Sequence, residues 1–156
     1  MVKQTGWENP FMLQWCQYLL DSYAHWIKHE LIPRKGTPLD QAAYLFNSPF
    51  VVVSHVMQDD PILNYGNQAA LNLWEMSWCQ FTKTPSRLTA EPVNRQERSR
   101  MLLQAKEQGY ISDYRGVRIS RTGKRFFVDQ AVIWNIHKPD GNVLGQGATF
   151  STWRFL

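Results

Sequence analysis

Residues 126–153 read FFVDQAVIWNIHKPDGNVLGQGATFSTW, and this stretch decides the fold that the sequence predicts. Five apolar side chains share one face of a strand at period two: Phe126, Val128, Val132, Trp134 and Ile136. The segment Pro139-Asp140-Gly141 predicts a hairpin turn, because proline presets φ and glycine accepts a positive φ. Residues 143–153 then predict the returning strand. Gly145 and Gly147 share one face of it, which indicates a close backbone approach or a packed helix.

The residues before this hairpin predict alternating strands and helices. Residues 111–120 predict a strand that turns at Gly123 into the next one. A helix over residues 95–108 precedes it and ends at Gly109. Residues 50–56 are β-branched, which favours a strand, and residues 62–65 predict a second, shorter one. Between these pairs lie a helix over residues 68–74, capped by Asn67, and short helices within residues 77–90.

The N-terminal region predicts a helical extension. Met12, Trp15, Leu19 and Tyr23 recur at helical spacing, and Asn9-Pro10 supplies a cap and the first helical position. This helix is expected to end before Pro33, and residues 39–46 predict a second, short helix. Its apolar surface is wide, so it needs more than one partner. We therefore predict that it packs on the sheet and forms a homodimer with a second copy.

These elements predict an α+β fold with one five-stranded antiparallel sheet, short helices on one face and a preceding helical segment. We divide the chain into an N-terminal helical extension, residues 1–46, and a sheet domain, residues 47–156.

Composition restricts the classes of protein. The 156 residues are 44% hydrophobic and 19% charged, which is typical of a globular chain. No apolar run reaches the ~18 residues that a membrane span needs, and no signal-peptide pattern begins the chain. Two cysteines, Cys16 and Cys79, are too few for a disulfide framework. A cytoplasmic location, in a reducing compartment and off the membrane, is therefore predicted.

Positive charge is concentrated in one half of the chain. Residues 83–125 carry 11 basic and 4 acidic side chains, an excess that suits an anionic partner. We favour a solvated basic surface, because no nucleic-acid-binding motif accompanies the charge. A nucleic-acid partner is therefore disfavoured.

The order of elements over residues 50–153 resembles a PAS domain. A closer resemblance is to the MEKHLA domain, a PAS-related family, in its stand-alone bacterial form, and it covers nearly the whole chain. The matching segments are Ser54-His55, Asp60-Pro61-Ile62, Tyr65-Gly66-Asn67-Gln68-Ala69-Ala70-Leu71, Pro85-Ser86-Arg87, Ala90-Glu91-Pro92, Tyr114-Arg115-Gly116-Val117-Arg118-Ile119 and Gly123-Lys124-Arg125-Phe126. The resemblance implies sensing or protein interaction, with no established ligand and no catalytic residues.

The resemblance also implies a cavity between the sheet and the helices that cross it. The predicted ligand-binding residues are Val53, His55, Trp74, Trp78, Arg98, Met101, Leu102, Gln130, Val132, Trp134, Gln146 and Ala148. Gln130 and Gln146 interrupt apolar faces, so they either orient a ligand or bond to backbone at a sheet edge. Arg98 shares a helix face with Met101 and Leu102. Its guanidinium could hold a carboxylate or phosphate, although an arginine there more often reaches water or Glu91.

The favoured function is a non-enzymatic sensor or interaction module that binds a small ligand or an unknown protein partner. One alternative is a small cone-shaped α+β enzyme, with Asp113, Asp129 or His55 as its acid or base. The other is a flavin photosensor that uses Cys79, although the residues around Cys79 lack the photosensor pattern.

No cofactor is expected. Haem is disfavoured because residues 95–108 contain no histidine. His25 and His29 stand one helical turn apart in the predicted helix, a spacing that can chelate a metal, but we favour an exposed or interface pair.

Overall fold

The computed structural model describes residues 6–156, apart from the side chains of residues 92–94, 98 and 102. Its helices are α1 (Pro10–Ile27), α2 (Pro38–Phe46), α3 (Gln68–Trp74), α4 (Trp78–Phe81) and α5 (Pro92–Gln108), with a short 3₁₀ helix at Ser86–Thr89. Its strands are β1 (Val51–Val56), β2 (Leu63–Gly66), β3 (Tyr110–Ile119), β4 (Arg125–His137), β5 (Val143–Phe150) and β6 (Thr152–Phe155). They form one antiparallel sheet in the order β2-β1-β5-β4-β3, with β6 also paired to β4. The predicted α+β class is thereby confirmed.

The final strand differs from the prediction. Residues 143–153 were expected to form one strand, but the chain bends at Ser151 and forms two. The cause is the length of β4, which has 13 residues against 8 in β5. Strand β5 pairs with the second half of β4, and β6 pairs with its first half, Phe126 to Asp129.

Strand β4 also contains a bulge that the sequence pattern does not reveal. Tyr114 pairs with Ala131 and Gly116 pairs with Val128, so two residues of β4 oppose one residue of β3. Gln130 lies in this bulge with φ of 54°. One extra residue moves every later side chain to the other face of the strand. The single-face prediction is therefore wrong beyond Gln130, because Ala131 and Ile133, rather than Val132 and Trp134, continue the face of Phe126 and Val128.

We call the face of the sheet that contacts α3 and α5 the inner face, and the opposite one the outer face. Helix α1 covers the outer face, and tryptophan N–H groups join it to the strands. Trp15 Nε1 donates to Ser54 Oγ at 2.9 Å, and Trp26 Nε1 donates to the Asn135 carbonyl at 3.0 Å. From the sheet, Trp134 Nε1 donates to the Leu19 carbonyl at 3.2 Å. Each such bond is worth about 1 kcal/mol net. The predicted domain boundary near residue 46 stays a prediction, and the extension before it packs on the sheet.

The two glycines of β5 allow this close packing. A Cβ atom at Gly147 would lie 2.7 Å from the Trp134 ring, and one at Gly145 would lie 3.1 Å from the Trp15 ring. The predicted close approach of a packed helix is confirmed.

Local signals explain where the helices begin and end. Asn9 caps α1 by accepting from the Met12 amide, and proline follows at the first helical position. The helix ends at Lys28, which has φ of 72° and whose N–H bonds the Ala24 carbonyl. This is earlier than the expected end before Pro33. None of the helices within residues 6–156 is long and apolar enough to cross a bilayer.

Candidate ligand-binding cavity

A cavity of about 70 Å³ lies between the inner face of the sheet and the helices that cross it. Its walls are mainly apolar, with a few polar side chains among them. Six of the predicted ligand-binding residues line it: Val53, His55, Trp74, Met101, Gln146 and Ala148. The structure therefore brings together predicted residues from β1, β5, α3 and α5.

Four predicted residues do not line the cavity. Val132 and Trp134 face the outer side, because the bulge in β4 reverses the alternation. Gln130 is exposed in the bulge itself. Trp78 packs at the β2 edge of the sheet, with its ring 5.6 Å from Tyr65 and 6.2 Å from Phe46. The side chains of Arg98 and Leu102 lie outside the described residues.

Sequence reasoning missed five polar residues of the cavity: Ser54, Ser86, Thr89, Tyr114 and Arg118. Tyr114 and Arg118 form a pair on β3. Arg118 Nη2 donates to Tyr114 Oη at 2.6 Å, and the guanidinium carbon lies 5.2 Å from the centre of the Tyr114 ring. A Cβ atom at Gly116 would lie 2.7 Å from Tyr114 Oη and 3.2 Å from Arg118 Nη1. The absent side chain of Gly116 thus makes room for the pair. The period-two spacing of these three residues was the signal that could have found them.

His55 and Gln146 line the cavity from paired positions on β1 and β5. The Gln146 amide donates to Asn135 Oδ1 at 3.4 Å, and Asn135 Nδ2 donates to the Lys106 carbonyl near the end of α5 at 3.0 Å. Gln146 therefore belongs to a buried amide network. His55 Nδ1 lies 3.1 Å from the Val56 carbonyl, and hydrogen bonding of this kind fixes the orientation of an imidazole ring.

The acids of the enzyme alternative lie elsewhere. Arg115 contacts Asp129 at 2.9 Å and Asp113 at 3.8 Å, and neither carboxylate lines the cavity. Of the three residues named for acid or base chemistry, only His55 reaches it.

The residues present do not fit a flavin attached through cysteine. Cys79 is exposed on α4 and does not line the cavity. A volume of about 70 Å³ is also well below the roughly 300–1,000 Å³ of pockets that hold drug-sized ligands. The same volume is too small for haem. The other cysteine, Cys16, is buried, and burial raises the pKa of its thiol to about 12, so this thiol stays protonated and inert.

His29 lies beyond the end of α1, so it is not one helical turn from His25, and the two histidines have different ring partners. The His25 ring lies 5.0 Å from that of His137, whereas the His29 ring lies 5.6 Å from that of Tyr23. Within the described part of the chain, no three His, Cys, Asp or Glu side chains are grouped so that they could hold a metal ion.

Solved structures with the same fold define the class of protein. A PAS domain from Colwellia psychrerythraea is 18% identical, with a TM-score of 0.62, over 77% of this chain and 98% of that one. A light-oxygen-voltage domain studied with a flavin analogue is 16% identical, with a TM-score of 0.57, over 73% and 82%. The PAS domain of a LuxR-family transcriptional regulator from Burkholderia thailandensis, in complex with ethanol, is 11% identical, with a TM-score of 0.52, over 73% and 95%. The fold is thus that of PAS domains.

Within this class, the model of the MEKHLA domain matches residues 13–155. The chain belongs to the MEKHLA domain family, as its sequence motifs predicted. No curated protein matches the sequence.

Proposed function

We propose that this chain is a non-enzymatic sensor module, in which a small molecule in the cavity alters the packing of α1 on the outer face. One observation carries the proposal. The cavity and α1 lie on opposite faces of the same central strands. Along each strand, the side chains of neighbouring residues point to opposite faces.

Strand β1 illustrates this arrangement. His55 lines the cavity, while the adjacent Ser54 accepts the Trp15 N–H on the outer face and donates to Asn64 Oδ1 at 2.6 Å. A ligand that displaces His55 moves the same backbone that positions Ser54. Ser54 also lines the cavity, so a hydrogen bond to α1 begins at a residue of the cavity wall.

Strands β4 and β5 repeat the arrangement. Ile133, Gln146 and Gly147 line the cavity, and the Trp134 ring lies against Gly147 on the outer face. Since packed interiors transmit strain rather than absorb it, a change of cavity volume is expected to reach Trp134 and, through its bond to Leu19, helix α1.

Two further observations support a small ligand and a non-enzymatic role. The solved PAS domain in complex with ethanol holds a molecule small enough for about 70 Å³. The candidate acids Asp113 and Asp129 form ion pairs with Arg115, away from the cavity.

The output is proposed to be a protein contact through the helical extension, either with a second copy or with an unknown partner. Most of the apolar surface of α1 is covered by its own sheet. Phe11 on α1 and Tyr44 on α2 stay 71% and 53% exposed, so they are the residues on which we base the homodimer proposal. Light scattering of Phe11→Ser is expected to show a weaker dimer than the wild type.

The free cysteines Cys16 and Cys79 are compatible with the reducing cytoplasm that we propose as the location.

A cavity-filling variant tests the proposed relay. Ala148→Val adds two carbons to the cavity wall at a strand position, where a β-branched residue fits. Hydrogen exchange of the α1 amides is expected to change several-fold, while exchange in α2 stays as in the wild type. Thr152→Val, at an exposed position of β6, is the control for the substitution itself. Unchanged α1 exchange in a folded Ala148→Val protein would overturn the relay.

A further inference from the structure

Arg118 is a cation in the cavity wall that has no acidic partner. Among the side chains that the structure describes, no carboxylate lies within ion-pair distance of it, whereas Arg115, Arg87 and Arg125 each pair with an acid. Arg118 is half-buried and lines the cavity. Its described polar contacts are with the carbonyl of Val117 and the side chain of Tyr114. A partly desolvated guanidinium in this position is suited to an anion.

Two further donors lie at the same end of the cavity. Tyr114 Oη accepts a hydrogen bond from Arg118, so its own hydrogen remains to be donated. The Trp74 ring is 5.3 Å from the ring of Phe126, and Phe126 pairs with Arg118 across β3 and β4. Trp74 is 3% exposed, and its Nε1 is buried without a hydrogen-bond partner among the described residues. A buried donor without a partner in a native fold requires an explanation.

We propose, resting on the sensor function above, that the cavity binds a short-chain monocarboxylate. Its carboxylate bonds to Arg118, and Tyr114 and Trp74 supply further donors. The planar guanidinium matches the two oxygens of a carboxylate. Among the described lining residues Arg118 is the one permanently charged cation, so a singly charged ligand balances it. A phosphomonoester carries a charge near −2, so one negative charge would remain unbalanced in the cavity.

The apolar part of the ligand follows from the walls and the volume. Val128, Ala131, Ile133 and Phe150 line the cavity beyond the donors. A volume of about 70 Å³ is about half of the ~150 Å³ that admits the six carbons of benzene, so it holds about three tail carbons, with the carboxylate placed outside that volume against half-buried Arg118. Butyrate therefore has the expected size.

Calorimetric titration with acetate, butyrate and octanoate tests the assignment, with butyramide as the neutral match of butyrate. Butyrate is expected to bind more tightly than acetate, octanoate and butyramide. Arg118→Gln keeps a hydrogen-bond donor but removes the charge, and it is expected to weaken butyrate binding about tenfold or more. Arg115→Gln, on the same strand but paired with Asp129, is the matched control and is expected to bind as the wild type.

The outcomes separate the two proposals. If butyramide binds as tightly as butyrate, or Arg118→Gln binds butyrate normally, the carboxylate assignment is wrong and the sensor function survives. If no acid binds at millimolar concentration, the assignment is also wrong, and native mass spectrometry of the fresh protein then decides whether another small molecule occupies the cavity. Butyrate binding without any change of α1 exchange would support the assignment and contradict the relay. Circular dichroism verifies that each variant is folded.

Discussion

Trp15 on α1 and Ser54 on β1 join the N-terminal helix to the sheet by a buried hydrogen bond of 2.9 Å. The Ser54 hydroxyl in turn donates to Asn64 Oδ1. The indole and the hydroxyl are both almost fully buried, so neither can turn to water when the other is removed. This pair therefore fixes α1 at one definite position, and Ser54 also lines the cavity.

The first prediction concerns this pair. Ser54→Ala removes the acceptor of Trp15 and the donor of Asn64, and a buried donor left without a partner costs about 1–3 kcal/mol. We expect urea unfolding to show a loss of free energy in that range. Trp15→Phe removes the donor as well as part of the ring, and the double variant is expected to lose less than the sum of the two, because both changes break one bond. Additive losses would show that the bond contributes nothing.

The second prediction concerns the pH dependence that Glu75 confers. Glu75 follows α3 and accepts hydrogen bonds from Ser120 and Thr122 in the β3–β4 turn, with Lys124 close by. These contacts, the Ser120 bond first, lower the pKa of Glu75 from 4.5 to about 2. A lowered carboxyl pKa means that the ionised form stabilises the fold. The stabilisation is therefore complete above the unfolded pKa of 4.5 and is lost as the pH falls towards about 2.

The measurement is the melting temperature of the wild type and of Glu75→Gln between neutral and acidic pH. The variant is expected to melt lower at neutral pH, and the two curves are expected to converge in acid, where Glu75 is protonated. A difference that stays constant across this range would contradict the assignment to the ionised carboxylate. Glu97→Gln, at an exposed position of α5, is the control for removing one negative charge.

Much of the fold followed from local signals in the sequence. The predicted helix over residues 68–74 has the bounds of α3, because Asn67 is an N-cap whose side chain also binds the backbone of β1. The three late strands and both turns were also predicted, since their periodicity and their glycines are local properties. The split of the last strand was not predicted, because it depends on how far β4 extends past β5.

The errors in the site share a tertiary cause. Gln130 adopts a left-handed conformation that is more usual for glycine, so no residue type at this position indicated a bulge. Beyond it, every second residue of β4 was assigned to the wrong face, which placed Val132 and Trp134 in the cavity instead of Ala131 and Ile133. The sequence predicted an anion-binding arginine on α5, Arg98, whereas the arginine that lines the described cavity is Arg118 on β3. Charge pairing depends on distant parts of the chain, and one sequence does not reveal it.

The third prediction uses the histidines between α1 and β4. Burial, then His137, then Lys28 lower the pKa of His25 below its usual value. A lowered imidazole pKa means that the protonated form is disfavoured in the fold, so stability is present above the ordinary pKa of 6.5 and falls as the pH drops below it. His25→Gln cannot gain this charge, and its melting temperature is expected to fall less than that of the wild type between neutral pH and mild acid. His29→Gln, beyond the end of α1 and with a different ring partner, is the control. Parallel curves for wild type and His25→Gln would assign the acid sensitivity to another group.

The last prediction concerns Gly147 and its cross-strand partner Trp134. A Cβ atom at Gly147 would lie 2.7 Å from the Trp134 ring, so Gly147→Ala must displace a ring that is fully buried and bonded to α1. Overpacking of this kind typically costs about 1–3 kcal/mol, and faster hydrogen exchange of α1 is expected with it. A smaller ring should relieve the contact, so Gly147→Ala combined with Trp134→Phe is expected to cost less than the sum of the single changes. Ser151→Ala, at the exposed bend after β5, should leave α1 exchange unaltered. If Gly147→Ala is as stable as the wild type, the sheet adjusts its packing at this contact. Such adjustment would contradict the proposed coupling from the cavity through Trp134 to α1, because that coupling requires rigid packing there.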